Sequence, residues 1–291
     1  MPQRSHPVRY HSPVIIDVHT HVFPPPIRER RDEYLARDAT FRELYSNPKA
    51  HIATAEDLLA SMEANGIDHA VACGFAWSDA EIMREHNAYL LEAAASSGGR
   101  IIPFPNVLPG ADGARKEMER YAARGARGLG ELRPANQGYK LIDSEEADLL
   151  AWAGNAFDLA LLFHASEPVG HAYPGKGGSP VEELGRFIAD FPGVNVIAAH
   201  WGGGLPFFAL MPEMKESFAM TYFDTAGTPF LYTPDIFARV VDLVGARQIV
   251  FGSDFPLISH ERALIDLREA PLDDPARDLI LGENARKLLR L

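Results

Sequence analysis

One cysteine, Cys73, stands in 291 residues. A lone thiol excludes an internal disulfide and any thiolate-based metal cluster, and it suits a reducing compartment; the expected location is cytoplasmic. No apolar run approaches the ~20 residues that a membrane span needs. The opening MPQRSHPVRYHSP lacks the apolar core and small-residue cleavage pattern of a secretion signal, and residues 1–12 read as a tail. Positive charge is scarce as well. Against 40 Asp and Glu there are 28 Lys and Arg, a net charge of −12 that repels a phosphate backbone. The expected partner is therefore a small-molecule substrate, not nucleic acid or membrane, and a homo-oligomer stays open. Nucleotide-binding signatures are missing too: HWGGGLP (200–206) is glycine-rich without the Gly-x-Gly-x-x-Gly spacing or a Walker lysine.

What is present is a rhythm. Short β-rich runs recur, each followed by an amphipathic stretch with helix punctuation, as in repeated β-α units around a parallel sheet. Eight such runs are expected as strands: 14–19, 68–75, 100–107, 127–132, 159–164, 194–200, 219–225 and 248–254. Several are apolar on both faces, as strands covered on both sides must be. Ser179-Pro180 with Glu182 predicts a capping box, Thr233-Pro234 a second helix start, and Gly66 and Gly245 predict helix stops. The expected fold is α/β: a distorted (β/α)8 TIM barrel forming one domain over 1–291. Residues 22–54, which open on a Pro-Pro-Pro run, exceed an ordinary βα connection and predict a lid over the barrel mouth.

Barrel enzymes carry their chemistry at the C-terminal strand ends, and here those ends are one-sided. Strand one ends in His19 and His21, strand four in Glu131, strand five in His164, strand six in His200 and strand eight in Asp254. Residues two apart on a strand share a face, so His19 and His21 project together while Thr20 points away. Any one of these residues has an ordinary structural explanation. Six candidate metal ligands or proton carriers delivered by five strands to one rim predict a metal site. His6, His11, His51, His69, His86 and His260 fit no such position and read as surface or satisfied residues. Imidazole and carboxylate donors without thiolate favour zinc, with manganese, iron or cobalt as alternatives.

The ordered set VHTH, LFHA, AAHWGGG and FGSDFP, closing with GENARKLL, resembles the amidohydrolase superfamily, in particular its amidohydrolase-2 branch. The resemblance spans nearly the whole chain. It implies a distorted TIM barrel that binds one or two divalent ions and carries out hydrolysis, hydration or non-oxidative decarboxylation. It also implies that His19, His21, His164 and Asp254 are ligands, and that His200 is a ligand of a second ion or a catalytic histidine. Glu131 in GLGELRP stands where binuclear members place a bridging group, which predicts a two-metal site.

The first expectation for function is a hydrolase. Its metal-activated water would attack an amide, ester or lactone, Asp254 serving as general base and His200 stabilising the oxyanion. Arg133, Trp201, His171 and Tyr173, with Lys176, are the candidate substrate contacts; Arg133 stands out because a guanidinium clamps a carboxylate with two parallel hydrogen bonds. The alternatives are a lyase that removes CO2 from a similar acid, a metal-dependent deoxyribonuclease of the TatD type, and a barrel that binds metal without catalysis.

Overall fold

The computed structural model describes residues 13–291; the expected tail, with His6 and His11, lies outside the described residues. Eight strands follow one another: β1 (Ile16–Thr20), β2 (His69–Cys73), β3 (Ile101–Phe104), β4 (Gly128–Leu132), β5 (Ala160–Phe163), β6 (Val196–Ala198), β7 (Thr221–Asp224) and β8 (Ile249–Val250). Each pairs in parallel with its sequence neighbour within two runs, β1–β3 and β4–β8. Individual backbone bonds bridge both seams: Gly130 N donates to Pro105 O (3.2 Å) and Val18 N donates to Phe251 O (2.9 Å). The strands form an α/β array of the distorted-barrel kind that the β-α rhythm predicts, joined at both seams by single backbone bonds and not by continuous strand pairing.

Side-chain parity fixes the layers. Ile16, Val18, Val71, Cys73, Ile102, Phe104, Leu162 and Ile197 form one buried cluster inside the strands. Their neighbours of opposite parity, among them Ala70, Leu129, Leu161, Phe163 and Phe223, pack outward onto the helices. Two-sided burial of this kind is why the strands read as nearly continuous apolar runs. The final helix, Asn284–Leu289, adds Ala285, Leu288 and Leu289 to the interior cluster. It sits at the N-terminal ends of the strands, because Asn284 Nδ2 donates to Ala246 O and Ile249 O, each at 2.7 Å. Gly282 just before it runs so close to Val14 that a Cβ there would lie 2.1 Å from Val14 O.

Strand and helix ends depart from expectation for local reasons. The runs expected at 194–200 and 248–254 pair only over Val196–Ala198 and Ile249–Val250, because the chain leaves regular pairing to turn left-handed at His200 (φ 55°) and Asp254 (φ 68°). The helix expected to start on a Ser179 cap begins at Val181, with Pro180 at its N-cap; the Ser179 hydroxyl is buried away from the helix amides and makes no hydrogen bond. The Thr233-Pro234 start is displaced to Ile236, since it is the Thr233 carbonyl that accepts from Ile236 N (3.0 Å) in a turn before the helix. Gly66 and Gly245 end their helices with positive φ as predicted.

The 22–54 segment is helical over most of its length, as α1 (Pro25–Glu29), α2 (Arg31–Arg37) and α3 (Ala39–Tyr45). Its inner side is aromatic. Phe41 packs on Tyr45 (ring centroids 4.7 Å), Trp77 (5.0 Å), Phe23 (5.9 Å) and Phe75 (5.9 Å). Asp38 pins this layer to the loop after β2: Oδ1 accepts from Phe41 N (2.9 Å), and Oδ2 accepts from Ser78 N and Ser78 Oγ at 2.8 Å each. Among the described residues no helix is long and apolar enough to cross a membrane.

Candidate metal centre

Strict alternation would bury His19 on the wrong side. Ile16 and Val18 face the barrel interior, so counting by twos puts Thr20 inside and His19 among the helices. The chain breaks the count: pairing with β2 slips between Asp17 and Thr20, an irregularity of the sort that re-aims side chains at barrel rims. Asp17 stabilises it, its Oδ1 accepting from His19 N (2.9 Å) and Ser253 N (3.1 Å). Behind it, Asp17 Oδ2 faces His260 Nε2 at 3.2 Å, and His260 Nδ1 shares a 2.8 Å hydrogen bond with Ser61 Oγ. His19 and His21 then converge, Nε2 to Nε2, at 3.1 Å, while Thr20 Oγ1 donates to Val71 O.

The other strand ends arrive around this pair. Glu131 Oε1 accepts from His164 Nδ1 (2.7 Å) and lies 3.4 Å from His200 Nε2 and 3.7 Å from His19 Nε2. Asp254 Oδ1 lies 3.4 Å from His21 Nε2 and 3.8 Å from His19 Nε2. His19, His21 and Asp254 each offer one donor atom within a 4.8 Å group, as do His19, Glu131 and His200. His164 belongs to neither group; it meets the cluster through Glu131. His200 reaches inward because the chain stays left-handed from His200 through Gly204, a run that the three glycines adopt without steric cost.

The electrostatics are those of a site short of positive charge. Burial opposes charge on His19, but Asp224, Glu131 and Asp254 outweigh it and raise His19 to about 10. For Glu131, burial is outweighed by His164, His200 and His19, which hold its carboxyl well below the usual range. Asp254 is likewise lowered, against burial, by His21, His19 and His200. His200 is raised, Glu131 and Asp254 prevailing over burial. Burial, reinforced by the Arg133 charge, lowers His164 to about 4. Neutral His164 gives its one N–H to Glu131, and its Nε2 is buried without a partner. Nitrogen and oxygen donors, surplus negative charge and an unpartnered buried imidazole nitrogen together fit a divalent first-row cation.

Asp224 is the residue that sequence reasoning missed. It ends β7, and its Oδ2 accepts from His19 Nδ1 at 2.8 Å; the signal was available, since the expected seventh strand carries an acid near its end like the fourth and eighth. The expected substrate contacts are scattered. Arg133 is buried beside His164 and donates to Gly175 O (2.7 Å) and Asn136 Oδ1 (3.2 Å). Trp201 does not face the cluster: the left-handed turn sends its indole outward onto Phe237 (5.0 Å), where Nε1 donates to Thr228 Oγ1. His171 is exposed, and Tyr173 donates to Glu167 (3.2 Å), both within a loop that Lys176 holds by donating to Val169 O and His171 O. Of the remaining histidines, His51 is exposed and His69 bonds Gly99 O; His86 is buried with both ring nitrogens bonded, whereas His260 is buried with Nδ1 bonded to Ser61 Oγ and Nε2 facing Asp17 without a hydrogen bond, a departure from the expected satisfied residue.

A sequence profile described as amidohydrolase matches residues 16–291. The chain belongs to the amidohydrolase family. It is also 29% identical over 110 residues to the 6-methylsalicylic acid decarboxylase of Penicillium expansum, a match covering 32% of this chain and 33% of that protein. The chain therefore matches about a third of that relative's length. Among solved structures, this amidohydrolase superposes on the 5-carboxyvanillate decarboxylase of Sphingomonas paucimobilis with a TM-score of 0.77 at 19% identity, covering 96% of this chain and all (100%) of that one. The 5-carboxyvanillate decarboxylase of Novosphingobium aromaticivorans, complexed with manganese and 4-hydroxy-3-methoxy-5-nitrobenzoic acid, gives 0.76 at 17% identity over 96% and 97%. At such identities the likeness is one of fold. The expectation that put hydrolysis and zinc first finds no support among these proteins, which are decarboxylases and, where a metal is named, carry manganese.

Proposed function

We propose that this amidohydrolase is a metal-dependent decarboxylase that removes CO2 from a small hydroxylated aromatic acid. The observation that carries the reading is the pairing of two surfaces at one mouth: the polar strand-end cluster and the aromatic lid. α3 joins them: Glu43 Oε1 accepts from Gly175 N (2.9 Å), and Gly175 O accepts from Arg133 beside His164, while the charges of Asp254 and Glu131 add to burial in pushing the Tyr45 phenol up. An aromatic ring held against Tyr45, the half-buried edge of the aromatic layer, would present its substituents to the histidines. Arg133 is the proposed carboxylate contact; among the described residues nothing accepts from its Nη1, and a guanidinium pairs well with a planar carboxylate. The names of the similar proteins, which act on 6-methylsalicylic acid and 5-carboxyvanillate, support the same substrate class.

In this reading His19, His21, His164 and Asp254 hold one divalent ion, which when bound supplies Lewis-acid polarisation of a substrate oxygen. Glu131 then has a role other than bridge. Its carboxylate, 3.4 Å from His200 Nε2, keeps that imidazole charged and ready to give a proton. As the bond to the carboxylate breaks, its electron pair stays on the ring carbon, His200 delivers a proton there, and CO2 leaves. Overall the acid anion and one proton become the decarboxylated ring and CO2. Water restores the proton to His200 by way of Glu131.

The test is incubation of the manganese-loaded protein with 6-methylsalicylate and 5-carboxyvanillate, following CO2 and the decarboxylated phenol. Stoichiometric release of both, with one ion per chain by metal analysis, is the expected result. Uptake of labelled water oxygen into ester or lactone substrates, without CO2 release from the acids, would return the chain to hydrolysis. Two ions per chain would return Glu131 to the bridging position.

A further inference from the structure

Asp224 is fully buried, and both of its carboxylate oxygens are committed to histidines of the site. Oδ2 accepts from His19 Nδ1 at 2.8 Å. Oδ1 accepts from His200 N at 2.8 Å and from Ala226 N at 3.1 Å. Among the described residues His19 is its one ion-pair neighbour. We propose that Asp224 is the positioning residue of the centre: it fixes the proton of His19 on Nδ1, so that Nε2 faces the cation site as a bare lone pair, and it braces the left-handed turn that brings His200 inward.

A carboxylate has no proton to give, so the imidazole nitrogen bonded to it must carry one, and a ring that binds a cation is neutral and has only that one to carry. Nε2 is then the acceptor. It is also the atom that approaches His21 Nε2, Glu131 and Asp254, at 3.1, 3.7 and 3.8 Å. The second oxygen acts on the backbone. His200 (φ 55°) and Trp201 (φ 58°) adopt a conformation that residues with a Cβ hold only when their surroundings enforce it, and the amide that opens this turn, that of His200, is held on Oδ1, which the Ala226 amide of the loop after β7 fixes in place. One side chain from β7 thereby sets the ring of β1 and the turn after β6.

This inference rests on the metal-dependent reading of the site, but its test reads metal binding and not turnover. Asp224→Asn keeps the shape, and its Oδ1 can go on accepting from both amides. Its Nδ2 donates, however, which forces His19 Nδ1 to accept and moves the ring proton onto Nε2. Manganese affinity, measured from free Mn(II) by electron paramagnetic resonance, is expected to fall about 10–100-fold while the metal-free Tm stays within a few degrees of wild type. Asp224→Ala is expected to lower both. Wild-type affinity in Asp224→Asn overturns the proposal. Should that variant fail to fold, 15N-histidine spectra of the wild-type zinc form decide: a protonated His19 Nδ1 upholds it, and an unprotonated one overturns it. A chain that binds manganese with the expected variant effect yet releases no CO2 would sink the decarboxylase reading and leave this one standing.

Discussion

His19 and His86 are both fully buried, one in the strand-end cluster and one beneath the aromatic lid, and their proton affinities move in opposite directions. His86 stacks on Phe23 (5.0 Å), accepts from Trp77 Nε1 (3.0 Å) and donates to Val22 O (2.7 Å). Both ring nitrogens are satisfied by neutral partners, and burial lowers the group to about 4. His19 has the same burial and three carboxylates around it, and stands at about 10. Burial alone makes a histidine a neutral piece of packing. Carboxylates around a buried histidine make a place that suits a cation, and that difference separates the aromatic layer from the candidate metal centre.

The comparison breaks most severely at the metal side. Asp254→Asn leaves a side chain of the same size but removes the charge shared by His21 and His19. Turnover is expected to fall roughly 10²–10⁴-fold with little change in unfolding midpoint, as read by steady-state kinetics and urea titration. Full activity would remove Asp254 from the site. The lid side should answer in the other currency. Phe41 is fully buried at the centre of the aromatic layer, and Phe41→Ala is expected to cost about 3–5 kcal/mol of stability in urea unfolding, with manganese affinity unchanged.

A pH series on the metal-free protein sharpens the contrast. His86 has its ordinary value of 6.5 when unfolded and about 4 when folded, so the unfolded chain binds the extra proton between those values. Its contribution is complete above pH 6.5 and is lost as pH falls toward 4, by about 3 kcal/mol at most. His19 is raised, so its contribution is complete below pH 6.5 and is lost as pH rises through about 10. His86→Asn should reduce the acid-side slope by the share of His86, leaving the share of His164, which also stands at about 4, and should leave the alkaline side unchanged. Loss of the alkaline slope in that variant would contradict the assignment.

The sequence made the strand ends legible because a barrel delivers them all to one rim, so residue type at those positions carries chemistry directly. It did not reveal how the side chains point there. The slip at Asp17, the left-handed turns at His200 and Asp254 and the outward swing of Trp201 all depend on partners far along the chain: Ser253, Asp224 and Phe237. Helix starts failed for a similar reason, because the Ser179 hydroxyl was drawn into a buried position where no amide meets it. The insertion after β1 was legible from its length and prolines, but its aromatic packing was not, since Phe23, Phe41, Phe75 and Trp77 come from two separate loops. Arg133 was picked out by residue type; its hold on Gly175 O is a contact between the loops after β4 and β5 that no local pattern encodes.

The central claim is that imidazoles and carboxylates from separate strands enclose a cation. Crystals grown with manganese, with anomalous scattering measured at the manganese edge, test it most directly. A strong anomalous peak within bonding distance of His19 Nε2, His21 Nε2 and Asp254 is the result the account predicts. No peak among those atoms, with the imidazoles bonded only to one another and to Glu131, would contradict it.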